Sequence, residues 1–337
     1  MITVLVTGAG GGVGQGIIKA LRLMRDLPVT IVAADMSPWA AGLYAADVMR
    51  LVPRAAAAGY LDAIIALCRE ERIDYYLPGT DVELLLCAEH AARIEIESGA
   101  HVAIAPKSVV AIADDKLATA RFLEHHGFAF PRTFARDQWR VGALQFPLIV
   151  KPRVGCRSIG VEVVRTEAAL ARALAREDEI VLQEHLGSED SEFTCTVVVC
   201  SGVASNVVVL QRWLRAGDTY RVLPVHDARI EGYILDVAQA LGVRGSCNFQ
   251  LRVDGDGPKI FEINARFSGT TPLCAELGMN PVESYLKAHR GLPYQGRART
   301  DVVIVRHWAE LIVPRASLQT LERDGRGTPG VVERTML

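Results

Sequence analysis

The sequence predicts a chain of combined α/β and α+β class, with a parallel-sheet domain in front and a mixed, largely antiparallel region behind it. Strand-like and helix-like runs alternate across the first hundred residues, which is how helices come to cover both faces of a parallel sheet. From about residue 146 the pattern changes to apolar runs that pair across short turns, as hairpins do. The chain has 337 residues, 50% apolar and 23% charged, enough to fill about two cores at roughly 150 residues per domain.

In order, Ile2 to Val6 is a β-type run that leads into Thr7-Gly8-Ala9-Gly10-Gly11-Gly12-Val13-Gly14. Val13, Ile17, Leu21 and Met24 then recur at helical spacing until Pro28. Val29 to Ala34 reads as a strand ending at Asp35, Leu61 to Glu71 as a helix, and Tyr75 to Leu77 as a strand before the Pro78-Gly79 break. Val82 to Ser98 is helical, and His101 to Ala105 a strand. A boundary falls near Pro106. Asp114 or Asp115 starts a helix that Gly127 ends, with Pro131 just beyond. Phe146 to Lys151 and Val161 to Arg165 are strands around a glycine-containing loop. Thr166 caps a helix to about Arg176, and Ile180 to Glu184 is a strand again. Phe193 to Cys200 pairs with Ala204 to Gln211 across Ser201-Gly202. Cys247 to Val253 pairs with Lys259 to Ile263 across Asp254-Gly255-Asp256-Gly257. The polar stretch Gln211 to His226, with Arg212, Arg215, Asp218 and Arg221, is expected to be a mobile segment near a cleft. Val302 to Val313 is expected to be a C-terminal strand with Trp308 in the core.

Composition narrows the function. With 37 Lys plus Arg against 39 Asp plus Glu, the net charge of -2 gives no electrostatic footprint for nucleic acid. No window holds 18 uncharged apolar residues, so no membrane-spanning helix is expected. The apolar run Ile2 to Val6 is too short for a signal-peptide core. The seven cysteines (Cys68, Cys87, Cys156, Cys195, Cys200, Cys247 and Cys274) include no CxxC pair, which suits reduced thiols in a cytoplasmic protein and no structural zinc.

Two segments carry candidate chemistry. Gly8, Gly12 and Gly14 follow the TGxxxGxG spacing of short-chain dehydrogenases, and Asp35 lies where a ribose-binding acid would sit. Such a loop lets backbone amides approach a phosphate. No tyrosine has a lysine four residues later, however, so tight-turn and helix–sheet packing competes as an explanation of the glycines with a nicotinamide site and with another small ligand at the sheet edge. The second segment begins where Lys151 ends the strand Pro147 to Lys151, followed at once by Gly155-Cys156-Arg157-Ser158-Ile159-Gly160. A cation beside an amide-rich loop suits a polyphosphate. Val181-Leu182-Gln183-Glu184-His185-Leu186-Gly187 and Glu192 follow. Gln250 comes next, then Glu262-Ile263-Asn264-Ala265-Arg266-Phe267-Ser268-Gly269. Glu262 and Asn264 are two apart on a strand and so share a face. Their oxygens, with no His or Cys nearby in sequence, suit a hard cation such as Mg²⁺, and Arg266 could neutralise a phosphoryl group.

This order resembles the ATP-grasp superfamily, above all the synthetase units of the carbamoyl-phosphate synthase large chain and stand-alone carboxylate–amine ligases. The likeness covers about residues 106 to 294, with an α/β domain in front, and the Asp115-Lys116 helix with Gly127 and Pro131 looks like the family's opening signature. It implies a Rossmann-like pre-ATP-grasp domain at 1–106, a small lobe at 107–183, and a large lobe with the metal site and C-terminal strands at 184–337. By resemblance, ATP would be held by Lys116, Lys151, Gly155, Arg157, Ser158, Gly160, Gln183, Glu184, Leu186, Glu192 and Gln250. Within that set Lys116 and Lys151 meet phosphates, Glu184 and Leu186 the adenine, and Glu192 the ribose. Gln250, Glu262 and Asn264 would bind Mg²⁺ or Mn²⁺. Lys151 and Arg266 would serve catalysis, and Arg215, Arg221, Ser268 and Gly269 the substrate.

The sequence departs from the pattern at Ile159, where relatives often carry arginine, and at Gln250, where they are often acidic. One such unit and no glutaminase segment make carbamoyl phosphate synthesis from glutamine an improbable task for this chain alone. The implied activity is ADP-forming ligation of a small carboxylate or amino acid to an amine through an acyl phosphate. The implied partners are small molecules, not nucleic acid or membrane, with a homodimer as the family-level expectation. The alternatives are an NAD(P)-dependent oxidoreductase using the N-terminal loop and a non-catalytic ATP-binding module.

Overall fold

The computed structural model describes residues 1–155 and 159–334. The first part holds β1 (Ile2–Val6), α1 (Gly12–Arg22), β2 (Val29–Asp35), β3 (Val48–Leu51), α2 (Tyr60–Glu70), β4 (Tyr75–Leu77), α3 (Asp81–Ser98) and β5 (His101–Val102). These strands form a parallel sheet in the order β3-β2-β1-β4-β5. Apolar residues on successive positions of β1 point to opposite faces. Val4 and Val6 join the core beneath α1, and Leu5 joins the core beneath α2 and α3. The sequence pattern anticipates all of these except β3, a four-residue strand with no alternation to mark it.

Next come α4 (Lys107–Asp114), α5 (Lys116–His125), β6 (Thr133–Ala135), β7 (Leu148–Pro152), β8 (Glu162–Val164), α6 (Glu167–Leu174) and β9 (Ile180–Glu184). The four strands form an antiparallel sheet in the order β6-β9-β7-β8, packed around Leu148, Val150 and Leu182. Asp115 caps α5 by accepting the Leu117 and Ala118 amides at 2.9 and 3.2 Å.

The remaining elements are β10 (Glu192–Cys200), β11 (Val203–Ala204), β12 (Val208–Arg215), β13 (Asp218–Val225), α7 (Ala228–Leu241), β14 (Gly245–Asp254), β15 (Gly257–Asn264), α8 (Thr271–Glu276), α9 (Pro281–His289), β16 (Ile304–Val305), β17 (Leu311–Ile312), α10 (Arg315–Asp324), β18 (Arg326–Gly327) and β19 (Glu333–Arg334). Their main sheet runs β15-β14-β10-β12-β13-β16. One face packs Cys195, Val197, Phe249 and Leu251 against α7, α4 and α5. The other face changes character along the strands. It is polar at Glu192, Thr194 and Thr196, then apolar at Val198, which joins the core shared with α1, α8 and α9. The parallel-sheet domain and the large lobe are therefore welded by one hydrophobic core rather than hinged.

Three expectations need correction. Gln211 to His226 is not a loose segment: β12 and β13 pair across Ala216-Gly217, with a register shift at Trp213/Leu214. That bulge breaks the alternation by which a strand is recognised. Val302 to Val313 is not one strand. It supplies β16 to the main sheet and β17 to a separate pair with β19. Trp308 between them is 85% exposed rather than in the core. The chain end also returns to the front domain, where β18 pairs antiparallel with β3 and Leu321 of α10 is fully buried.

Candidate active site

The polar face of the main sheet is a grid. Register aligns Glu192 with Arg252 across β10 and β14, with Arg212 of β12 bonded to Glu192 from the other side, followed by Thr194, Gln250 and Glu262, then Thr196, Asn248 and Asn264. Alternation alone brings these side chains to one surface. Glu192 is buried between two guanidinium groups. Arg212 donates to its Oε1 from Nε at 3.0 Å and Nη2 at 2.8 Å, and Arg252 donates to its Oε2 from Nη2 at 2.9 Å. Arg212 also donates to Gln250 Oε1 at 2.7 Å. Asn264 donates to Glu262 Oε1 at 3.1 Å, and its own Oδ1 accepts from Arg266 Nη2 at 2.9 Å. Arg266 is fixed from the other domain, since its Nε donates to Asp81 Oδ1 at 2.7 Å.

The small lobe faces this grid. Lys151 is 4% exposed and donates from Nζ to Gln183 Oε1 at 2.8 Å and to the Phe261 carbonyl at 3.3 Å. Burial pushes its pKa down to about 8, against the pull of Glu262, and Lys116 lowers it further. Lys116 Nζ donates to the Gly155 carbonyl at 2.8 Å. Arg153, forked onto Asp115, ties the same point of the loop to α5. Gly155 and Gly160 bound that loop with φ of 147° and 74°, backbone that suits glycine. Arg157 and Ser158 lie outside the described residues, as does Cys156.

Two cavities meet here. One, about 220 Å³, lies between the lobes, with Lys116, Lys151, Gln183, Glu192 and Gln250 on its walls and Ile149, Val163, Leu186 and Phe261 as apolar flanks. Glu184 lines it too, while its carboxylate accepts the Arg132 amide at 3.1 Å. The other, about 480 Å³, lies between the large lobe and the front domain and includes Gly8, Gly12, Tyr60, Thr80, Arg266 and Ser268. Arg212, Gln250 and Glu262 line both.

Ser268 and Gly269 line the larger cavity, and Arg215 and Arg221 line neither. Arg215 sits against the Tyr220 ring, and Arg221 stacks on Trp213 at 4.4 Å. Arg212 and Arg306 are the arginines that line the larger cavity beside Arg266, and Arg306 has no sequence motif to mark it. Arg252, absent from the sequence-based set, lies two residues beyond Gln250 on the same face, a spacing that marks it. Asp81 had no sequence signal, because it lies 185 residues from its partner Arg266.

Close packing requires glycine at positions 8 and 14 of the N-terminal loop, though not at Gly12. A Cβ on Gly14 would lie 2.2 Å from the Gly8 carbonyl oxygen, and one on Gly79 would lie 2.1 Å from that of Thr7. Asp35 spends its carboxylate on the Gly10 and Ser37 amides at 2.8 and 3.0 Å. Fully buried Glu83 locks the two loops together, accepting Thr7 Oγ1 at 2.7 Å, the Gly79 amide at 3.0 Å and the Thr80 amide at 2.9 Å.

Comparison with known proteins agrees with this architecture. Residues 4–103 match the family described as PylC-like, N-terminal domain, and residues 176–310 match ATP-grasp in the biosynthetic pathway with Ter operon. An ADP complex of N5-carboxyaminoimidazole ribonucleotide synthetase superposes with a TM-score of 0.73 at 17% identity, covering 96% of this chain and 84% of that one. The chain carries the ATP-grasp fold. The L-amino acid ligase of Bacillus licheniformis superposes with a TM-score of 0.68 at 16% identity, covering 93% and 79% of the two chains. In sequence, the carbamoyl phosphate synthase large chain of Streptomyces avermitilis is 24% identical over 238 residues, 60% of this chain and 21% of that protein. That of Paenarthrobacter aurescens is 25% identical over 187 residues, 49% and 17%. The chain thus spans about a fifth of the length of the curated relatives it matches. Among the described residues no helix is long and apolar enough to cross a membrane. The six described cysteines are free thiols.

Proposed function

We propose that the protein is an ATP-dependent, ADP-forming carboxylate–amine ligase that activates a small carboxylate or amino acid as an acyl phosphate. The observation that supports this most is the junction of the two cavities at Arg212, Gln250 and Glu262. A nucleotide in the smaller cavity would direct its terminal phosphate toward an acid in the larger one. Ile149, Val163 and Leu186 offer apolar walls to a purine, and Glu192 lines the same cavity with both carboxylate oxygens held by Arg212 and Arg252, so a ribose hydroxyl there would share or displace one of those four hydrogen bonds. Lys151 and Lys116 meet the phosphates. Arg266, held in aim by Asp81 and Asn264, offsets the charge that develops as the acid oxygen attacks the γ-phosphorus and ADP leaves. The amine then attacks the acyl carbon, and phosphate departs.

The donor set fits Mg²⁺ or Mn²⁺. It comprises one carboxylate and two amide oxygens, Glu262, Gln250 and Asn264, on adjacent strands of one face, all hard oxygen donors without thiolate or imidazole. When bound, the ion would supply Lewis-acid charge neutralisation at the phosphates.

The test is phosphate release from ATP across paired carboxylates and amines, with mass analysis of products. Release should require an acid, and hydroxylamine should trap the intermediate as a hydroxamate. An ATP-dependent stability shift with no release for any acid would instead favour a binding module, and NAD(P) binding without ATP binding an oxidoreductase.

Lys151 gives this reading a pH signature. In the free protein its ammonium deprotonates near pH 8. A polyphosphate favours the charged form and so raises that pKa. Affinity for ATP should therefore hold below pH 8 and fall as pH rises through it, with net proton uptake on binding near pH 8.5. Calorimetry in buffers of different ionisation heat should detect the uptake, and Lys151→Met should remove it.

A further inference from the structure

Three arginines line the larger cavity from buried or half-buried positions: Arg212, Arg266 and Arg306. Two are neutralised, Arg212 by Glu192 at 2.8 Å and Arg266 by Asp81 at 2.7 Å. Arg306 has no carboxylate within 4.0 Å among the described residues. Its guanidinium is nevertheless held in place. Nη1 donates to the Thr219 carbonyl at 3.1 Å and Nη2 to the Gly269 carbonyl at 2.9 Å. Its backbone amide donates to the Tyr220 carbonyl at 2.9 Å, so the residue is anchored at both ends.

The surroundings match an anion rather than a solvated surface cation. Ser268, Thr270 and Thr219 are buried hydroxyl residues on the same wall. Asp218 also lines the cavity, but from an exposed position beyond ion-pairing distance. Burial lowers the guanidinium's pKa, against the pull of Asp218, a sign of an incompletely compensated charge. Two carbonyls spend two of its five N–H donors, and the others remain for a ligand.

Neither Arg306 nor Arg266 lines the nucleotide cavity, but Arg266 donates to Asn264 of the proposed cation set at 2.9 Å, whereas Arg306 donates to backbone carbonyls away from that set. The carboxylate that reacts therefore belongs beside Arg266. At about 480 Å³ the larger cavity also matches sites for sizeable organic ligands and far exceeds the need of a bicarbonate ion.

We propose that Arg306 holds a carboxylate that the reaction does not consume, so that one of the two substrates carries an acidic group besides its reacting one. The shared chemistry has two sources. The activated acid is a dicarboxylate, or the amine is an amino acid whose α-carboxylate docks on Arg306. This specificity role rests on the ligase reading of the site.

The experiment is isothermal titration of matched probe pairs into the protein, alone and with Mg²⁺ and a non-hydrolysable ATP analogue. Glutarate against butyrate tests the acid, and L-alanine against ethylamine tests the amine. At least one carboxylate-bearing probe should bind about 10- to 100-fold more tightly than its counterpart, the range of a hydrogen bond to a charged group. The pair that shows the preference names the source. Arg306→Gln should reduce that ratio to near one while leaving affinity for the ATP analogue unchanged, because Arg306 is outside the nucleotide cavity. Should that variant not fold, Arg306→Lys keeps the charge without the planar fork and should lower the ratio at least threefold. A ratio unchanged in the folded variant, or no preference in either pair with the natural chain, overturns the proposal. Failure of the natural chain to bind the ATP analogue would overturn the ligase reading instead, and the probe ratios measured without nucleotide would still stand.

Discussion

Glu262→Ala is expected to lower the rate of ADP formation about 1000-fold or more while leaving the fold intact. Glu262 is the only carboxylate in the proposed cation set, and it faces both cavities. Removing it takes away the strongest hard donor, and metal-supplied stabilisation of developing phosphoryl charge amounts to several kcal/mol, with each 1.36 kcal/mol worth about tenfold. The side chain is half-buried and accepts one hydrogen bond, from Asn264, so its loss leaves little to collapse. Thermal denaturation should shift by only a few degrees. Steady-state ADP release at saturating Mg²⁺ is the measurement, and a rate within tenfold of the natural chain would remove Glu262 from the metal set.

Gly79→Ala is expected to destabilise the protein by about 3 kcal/mol and to lower turnover as well. The added Cβ would lie 2.1 Å from the Thr7 carbonyl oxygen and 3.1 Å from Gly14 Cα, both backbone atoms that cannot rotate aside. Overpacking of this kind typically costs about 1–3 kcal/mol. The upper end applies because the β4–α3 loop must move, taking the Gly79 and Thr80 amides away from buried Glu83. The same loop leads to Asp81, the residue that aims Arg266, so a packing change becomes a catalytic one. Gly12→Ala is the control. Nothing lies within 4 Å of its added Cβ, and the residue opens α1, so stability should hold or rise slightly. Chemical denaturation of both variants checks the contrast. Equal loss in both would mean that the loop is sensitive for some reason other than the Gly79 contact.

How much could be read without a structure depended on how local the signal was. The β14–β15 hairpin is legible because alternation on both strands brackets Asp254-Gly255-Asp256-Gly257. The cap of α5 is legible because Asp115 satisfies amides two and three residues away. The β12–β13 hairpin was hidden by its bulge and by arginines that resemble a solvated stretch. Helix α7 carries a local signal of its own. Asp227 caps it, Ile230, Ile234, Val237 and Leu241 mark one face, and Gly242 follows.

By itself the sequence determined the alternation that builds each sheet and the two-residue spacing that puts Glu262 near Asn264, while the β14–β15 register, with its shift at Gln250/Leu251, set Gln250 opposite Glu262. A strand's periodicity fixes which side chains share a face, whatever the rest of the chain does. Only the tertiary structure decided which cations those faces meet. Asp81 reaches Arg266 from another domain, β18 closes the far edge of the first sheet, and Arg306 comes to the cavity on two backbone carbonyls. These contacts join residues brought together by burying a shared core, and a contact made by burial leaves no spacing in the chain to read.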